Sequence, residues 1–407
     1  MRVLFVHDYY RQFGGEEAVV SADSELLESR GVATRIYSRN NGDIAKYGPW
    51  QKLLLPLHTI KCPRTIEEIP RVVDEFRPDV AYLHNLYPLI SPSVYDALWK
   101  SGVPIVQVVH NYRPFCANGV FYTKGQVCER CAGGSYWHAV AHRCVRNSYF
   151  VSAAYAAALF NLRRSGDLAK IAAFICSNPF TKRKFCESGI PESKIFLRPN
   201  TIDTTRITPA FGGGEYVLYA GRLSHEKGVR TLLAAFRSTQ FPLVIAGVGP
   251  LEPELKRYAE AHGMTHVRFA GFQSGAAKAD LFRRAKFVVV CSEWYEIGPL
   301  VLFEAFAYGK PVVGANLGNM PNLVTEGQTG VLFRPGDAAD LAEKIGQLES
   351  DPAAIERMGK LARRRVETSF DSRHSADLLF DIFRQVLRRS NTGMTHDLTE
   401  IAASNSL

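Results

Sequence analysis

The sequence predicts an α/β protein of two Rossmann-like units, each a parallel sheet covered on both faces by helices. Three observations carry that prediction. A chain of 407 residues has room for about two or three domains with ample core in each. Short apolar runs alternate with helical patterns through both halves, as βα units require. The stretch Phe211-Gly-Gly-Gly214 reads as a flexible linker between one alternating set and the next. The domains so marked are residues 1–205 and 215–372, followed by a helix over 373–390 and a polar tail over 391–407.

A hydrophobic fraction of 46% and a charged fraction of 22% are those of a soluble globular chain. The longest apolar candidate, residues 150–160, is alanine-rich and falls short of the roughly 18 residues a membrane span needs. Met1-Arg-Val-Leu-Phe-Val-His7 lacks the long apolar region and cleavage site of a signal peptide, so it reads as a first strand and the protein as cytoplasmic. The net charge of +9 is spread over clusters such as Arg163-Arg164, Lys182-Arg-Lys184, Arg363-Arg-Arg365 and Arg388-Arg389. Such clusters suit an anionic membrane face or an acidic substrate, and equally the solvated faces of helices. Scattered pairs do not make a nucleic-acid footprint, so no nucleic-acid partner is expected.

In the first half, a strand over residues 2–6 leads to Gly14-Gly15 and a helix from Glu16. That corner suits a phosphate, or is an ordinary turn. Further strands are predicted at 34–37, 80–83 and 104–109. His110-Asn111 ends the last of them, and open α/β sheets bind ligands outside the carboxyl ends of their strands. A histidine at a strand end is otherwise commonly structural.

Cys116, Cys128, Cys131 and Cys144 follow, with His138 and His142 nearby. In a cytoplasmic chain these argue for a thiolate metal site before disulfides. A Cys-x-x-Cys pair plus two outlying cysteines can close a tetrahedral structural zinc site, with either histidine replacing a thiolate; the alternative is reduced cysteines that bind nothing. Residues 148–170 read as a helix, core or membrane-facing, before a strand at 171–176, a helix at 178–187 and the run Ile195–Asn200.

The second set opens with a strand over 216–220 and Gly221-Arg222, then Lys227-Gly228. Arginine in bidentate fashion and lysine as a point charge can hold a diphosphate without a metal; the alternative is nonspecific surface cations. Strands at 244–247 and 267–271 come next. The apolar run Phe287–Cys291 then delivers the chain to a turn at Gly298-Pro299, and a helix runs from there to Gly309. The amides of a first helical turn lack partners within the helix and suit a phosphate. Pro299 has no N–H, which shifts donation to neighbours such as Leu300. Glu296 and Glu304 flank this anion site and can accept hydrogen bonds from ligand hydroxyls, although glutamates so spaced also occur on solvated helices. A strand at 330–333, a surface helix over 351–367 and a last helix over 375–389 complete the pattern.

Gly221-Arg-Leu, Glu226-Lys-Gly228 and Glu296-Ile-Gly-Pro-Leu-Val-Leu-Phe-Glu304 resemble the motifs of the retaining GT-B glycosyltransferases, in particular family four. The resemblance spans about residues 1–390. This chain departs from it in having Ile297-Gly298-Pro299-Leu300 for Gly-Phe-Gly-Leu, Asn111 for an aspartate, and Asn200-Thr-Ile-Asp203 without a glycine. The resemblance implies a GT-B fold, two Rossmann-like domains facing across a cleft, with the last helix crossing back to the first. It implies a retaining hexosyltransferase that moves a sugar from a nucleoside diphosphate sugar to an acceptor hydroxyl, in polysaccharide or glycolipid assembly. His110, Arg222, Lys227 and Glu296 are then the catalytic residues, and Gly14, Gly15, Gly221, Gly298, Leu300 and Glu304 bind the donor. No catalytic metal is expected, in keeping with the lack of Asp-x-Asp in the chain. A subset of the family carries a similar cysteine-rich insert, here residues 112–147, on the acceptor side. The implied acceptor is a glycan or lipid-linked, reached at the inner face of an anionic membrane. Two alternatives stand beside this: another GT-B enzyme, a phosphorylase or sugar-nucleotide epimerase, and a zinc-containing nucleic-acid-binding protein, which leaves the paired glutamates unexplained.

Overall fold

The computed structural model describes residues 1–11 and 14–391; the predicted tail lies outside them from residue 392 on. Two compact units divide the described residues, the first made of Met1–Phe121, Cys128–Pro199 and the helical segment that begins at Ala376, the second of Tyr122–Val127 and Asn200–Ser375.

The first unit runs β1 (Arg2–Tyr9), α1 (Gly15–Ser29), β2 (Ala33–Asn40), α2 (Pro49–Ile60), α3 (Pro63–Phe76), β3 (Val80–Leu83), α4 (Ser93–Lys100) and β4 (Ile105–Val108). A small hairpin, β5 (Tyr122–Thr123) and β6 (Gln126–Val127), belongs to the second unit. The first resumes with α5 (Trp137–Ala141), α6 (Tyr149–Arg164), β7 (Ala173–Cys176), α7 (Pro179–Glu187) and β8 (Ile195–Leu197). Its strands form one sheet in the order β2-β1-β3-β4-β7-β8, parallel throughout. The interior strands are runs of buried apolar residues such as Val3–Val6, as sheets covered on both faces require.

The second unit runs β9 (Tyr216–Ala220), α8 (Val229–Phe236), β10 (Leu243–Ala246), α9 (Glu252–Ala261), β11 (Val267–Gly271), α10 (Gly275–Arg284) and β12 (Ala285–Val290). There follow α11 (Leu300–Ala307), β13 (Val312–Ala315), α12 (Met320–Leu323), β14 (Gly330–Phe333), α13 (Ala338–Glu349), α14 (Pro352–Ser369) and α15 (Ser372–Asn391). The sheet order is β11-β10-β9-β12-β13-β14, again all parallel. Most of α15 returns to the first unit, where Leu379, Ile382, Phe383 and Val386, one stripe of the helix, join Val3, Phe5 and Tyr82 in the core.

In each sheet the strand order reverses once, between β1 and β3 in the first and between β9 and β12 in the second. Connections leave the two strands on opposite sides there and open a crevice at their carboxyl ends, the place where such sheets bind ligands.

Three expectations are corrected. The division falls at Pro199/Asn200, not at the glycine run. Ile202 bridges to Asp371, the Thr204 hydroxyl bonds to Asp371, and Arg363 donates to the carbonyls of Thr204 at 3.0 Å and Ile207 at 2.9 Å, so residues 200–214 belong to the second unit. The helix over 352–369 is not a surface helix: Ala354, Ile355, Met358, Ala362 and Val366 are buried, and a Cβ on Gly359 would stand 2.2 Å from the Gly309 carbonyl. Helices α2 and α3, absent from the prediction, contain Pro56 and Pro70, residues that ordinarily break a helix.

Beneath the first sheet's crevice, Arg198 forks onto Asp23 at 2.6 and 2.8 Å, and the Tyr82 hydroxyl donates to the same carboxylate at 2.7 Å. All three are buried. Arg198→Met leaves the Asp23 charge without its partner and should cost about 3–5 kcal/mol, read as a lowered urea midpoint; an unchanged midpoint would show that the pair carries no such weight.

Candidate active site

The second unit gathers three of the expected residues at its crevice. β9 delivers the chain to Gly221-Arg222 and the turn ending at Lys227-Gly228; β12 delivers it to Ser292 and Glu296. Gly228 has φ 68°, and a Cβ there would stand 1.9 Å from the Cys291 carbonyl oxygen. Only glycine lets the two loops lie this close. Lys227 Nζ then meets Glu296 Oε1 at 2.6 Å and lies 5.1 Å above the Trp294 ring. The Ser292 hydroxyl donates to the same oxygen, so a carboxylate with only 7% exposure is fully engaged on that side.

Arg222 Nη2 meets Glu226 Oε1 at 2.5 Å, and its Nε donates to Ser224 Oγ at 3.2 Å. Burial pushes the Glu226 carboxyl up, but Arg222, Ser224 and the backbone outweigh it and hold the group below the usual carboxylate range. The guanidinium, 57% exposed, is thereby braced on this side. Gly221 lies under Gly247, whose Cβ would stand 1.9 Å from the Gly221 carbonyl oxygen.

Pro299 precedes α11, Leu300 is its first residue, and the Gly298 carbonyl accepts from Asn200 Nδ2 at 3.0 Å. Glu304, one turn along, meets Lys278 Nζ of α10 at 2.5 Å. Each glutamate of the pair is thus held by a lysine from another element, a feature the spacing alone did not reveal.

The first unit places a different chemistry at its crevice. Three adjacent strands end in histidine followed by aspartate or asparagine: His7-Asp8 on β1, His84-Asn85 after β3 and His110-Asn111 after β4. His84 Nδ1 and His110 Nε2 are 2.8 Å apart, with the rings stacked at 5.1 Å. Burial, then the neighbouring His7, lowers the His110 pKa to about 4, so the imidazole is neutral at physiological pH. Asn111 donates to Glu16 at 3.3 Å. The Asp8 carboxyl is pushed up to about 7 by burial, against the Leu89 amide and Arg39. Gly14 begins the turn into α1 at Gly15, and its amide donates to Glu17 Oε2 at 2.9 Å while the Tyr10 amide takes Oε1 at 3.0 Å. A buried side chain closes this corner.

Sequence reasoning missed His7, Asp8, His84, Asn85 and Glu17 here, and Glu226, Lys278 and Trp294 in the second unit. The His-Asp or His-Asn pair repeated after the predicted strands 2–6, 80–83 and 104–109 was the available signal.

The cysteines of the insert are all free thiols. The Cys116 thiol donates to Asn118 Oδ1 at 3.0 Å. Burial, with Cys116, Cys144 and Cys128 nearby, pushes the Cys131 thiol up to about 12. Among the described residues no three His, Cys, Asp or Glu side chains are grouped so that they could hold a metal ion. The closed four-sulfur site expected from the spacing is not assembled by these side-chain positions.

Both units match glycosyltransferase families. Residues 13–206 match the Glycosyltransferase Family 4 model, and residues 202–365 the Glycosyl transferases group 1 model. The chain has the two domains of a GT-B glycosyltransferase. The Thermosynechococcus elongatus sucrose-phosphate synthase structure shares this glycosyltransferase fold over 95% of this chain and 99% of its own, with a TM-score of 0.73 at 19% identity. Anabaena HepE in complex with UDP does so over 95% and 100%, with a TM-score of 0.65 at 18% identity. Among curated relatives, the Mycobacterium tuberculosis glycogen synthase is 38% identical over 40% of this chain and 40% of its own length. The Escherichia coli O-antigen chain mannosyltransferase C is 28% identical over 43% and 48%. These matches span less than half the length of either relative. The Arabidopsis thaliana sulfoquinovosyl transferase SQD2 is 26% identical over 88% of this chain and 65% of its own length.

Folding favours the protonated form of Asp8, because its pKa rises from 3.8 to about 7. The cost of ionising it in the folded state therefore grows as pH rises above 3.8 and is complete above about 7. Asp8→Asn should leave stability unchanged at pH 4 and raise it at pH 8, seen in paired thermal melts; a variant no more stable at pH 8 would contradict this environment.

Proposed function

We propose that the protein transfers a hexose from a nucleoside diphosphate sugar to an acceptor hydroxyl, with retention at the anomeric carbon. The observation that carries this is the placing of Arg222 and Lys227 after β9 and Glu296 after β12, on the two sides of the strand-order reversal. Negative charge builds on the departing diphosphate as the glycosidic bond breaks. Cations already braced in place stabilise that charge without reorganising at the moment of reaction.

Arg222 and Lys227 take the diphosphate, helped by the amides at the start of α11 near Leu300. Gly221 and Gly298 let the ligand approach the backbone. Glu296 holds hydroxyls of the donor sugar and Glu304 those of the ribose. His110, neutral because burial lowers its pKa to about 4, is assigned to hydrogen-bonding sugar hydroxyls. Gly14 and Gly15 let the β1–α1 turn approach the substrate. The leaving phosphate takes the acceptor's proton, so no covalent residue and no catalytic metal is assigned. The acceptor is a glycan or a lipid-linked glycan of polysaccharide or glycolipid assembly, a reading supported by the likeness to an O-antigen chain mannosyltransferase and a sulfoquinovosyl transferase. A UDP-sugar is the first donor to try, since HepE holds UDP.

Zinc enters as a structural ion of the insert on the Cys128-x-x-Cys131 pair with Cys116 and Cys144 on either side, a set that has to regroup from the positions described above to close around the ion. About one zinc per chain should appear on elemental analysis and be lost in Cys128→Ser/Cys131→Ser; folded wild type without zinc would rule the ion out.

Arg222→Ala should lower turnover by about 10²–10³-fold while its melting temperature stays close to wild type, the side chain being largely exposed. Undiminished turnover in the folded variant would defeat the assignment. Release of free nucleoside diphosphate on acceptor addition distinguishes transfer from epimerisation of the sugar nucleotide.

A further inference from the structure

The first unit carries an apolar face that its own core does not use. In α2, Leu55 and Thr59 are buried while Trp50, Leu53, Leu54 and Leu57 are exposed, Trp50 by 77%. The exposed four are spaced i, i+3, i+4, i+7, a single stripe of the kind that ordinarily faces a core. α6 packs beside α2, and α5 beside α6. These neighbours carry further exposed aromatics, Phe150 and Phe160 of α6 and Trp137 of α5, all more than half exposed. An apolar surface of this extent marks a docking site.

Its charge identifies the occupant. No aspartate or glutamate occurs from Ile44 to Ile66 or from Arg130 to Gly166. Those segments bear Lys52, Lys61, Arg143, Arg146, Arg163 and Arg164, all exposed, and among the described residues none of the six is ion-paired to a carboxylate. Other exposed cations of the unit are paired, as in Arg71–Glu67 and Arg35–Glu75, and so are Lys46 with Asp43 and Arg64 with Glu68 at the ends of the first segment. A symmetric contact with a second copy would set these unpaired cations against their own equivalents. A lipid surface of negative charge complements both the stripe and the cations. No described helix is long and apolar enough to cross a membrane.

We propose that α2, α5 and α6 form a face that seats the protein on an anionic bilayer. α2 lies in the plane of the interface. Trp50, Leu53, Leu54 and Leu57 enter the acyl boundary, Trp137 sits at headgroup level, and the six cations lie over lipid phosphates. This seat stands independently of the sugar-transfer reading, since it uses none of the residues assigned to chemistry.

The test is flotation of the full chain with phosphatidylcholine vesicles, with and without phosphatidylglycerol. Wild type should float with the anionic vesicles only, and less as salt rises. Leu53→Glu/Leu57→Glu should weaken that binding by at least about tenfold at an unchanged melting temperature. Arg163→Glu/Arg164→Glu should also weaken it. Wild type that ignores anionic vesicles at low salt overturns the proposal. So does a Leu53→Glu/Leu57→Glu variant that floats like wild type, or a wild-type dimer that this variant converts to monomer, which would assign the face to a second copy.

Discussion

The contact between Lys227 and Glu296, 2.6 Å apart across 69 residues of sequence, expresses the constraint on which the second unit's site depends. β9 and β12 are neighbours in the sheet although two strands separate them in the chain. Everything that follows β9 therefore faces everything that follows β12. Gly228 lets those loops touch where any Cβ would strike the Cys291 carbonyl. The Trp294 ring beneath Lys227 and the Ser292 hydroxyl on Glu296 fix the pair from both sides. A cation so fixed can meet a diphosphate without the entropy loss of ordering a free lysine.

The same topology serves a different chemistry in the first unit. Its reversal lies between β1 and β3, and the residues near the carboxyl end of β1 and just after β3 and β4 are histidines with amide or carboxyl neighbours. Burial disfavours the charged forms of three of them: the His84 and His110 pKa values fall and that of Asp8 rises to about 7. Such a set has the chemistry to hydrogen-bond hydroxyls, where the second unit's cations have that to hold phosphate. Tyr82 joins this set to the buried Asp23–Arg198 pair, its hydroxyl on Asp23 and its ring edge-on to His84 at 4.6 Å.

Much of the fold was legible in the residues because apolar runs bounded by turn residues leave few choices. β3, β9, β11 and β14 match their predicted bounds to the residue, and Pro299 and Gly309 bracket α11 as turn chemistry requires. The illegible parts have specific causes. Internal prolines disguised α2 and α3. The interdomain break was misplaced because a glycine run signals flexibility and says nothing of the contacts that tie residues 202–207 to Asp371 and Arg363. The site was legible where motif residues lie close in sequence, as at Arg222 and Lys227. It was hidden where the partner comes from another element, as with Lys278 on Glu304 or Glu17 on the Gly14 amide. Cysteine spacing is a one-dimensional signal, and it did not fix how the four thiols are disposed.

The most direct test of the central claim is calorimetric titration of the wild-type chain with UDP, GDP and ADP in the presence of EDTA. Fixed cations standing in for a metal predict saturable binding of one of these diphosphates with no divalent ion available. Binding that appears only when magnesium is restored, or binding of none of the three, would contradict it.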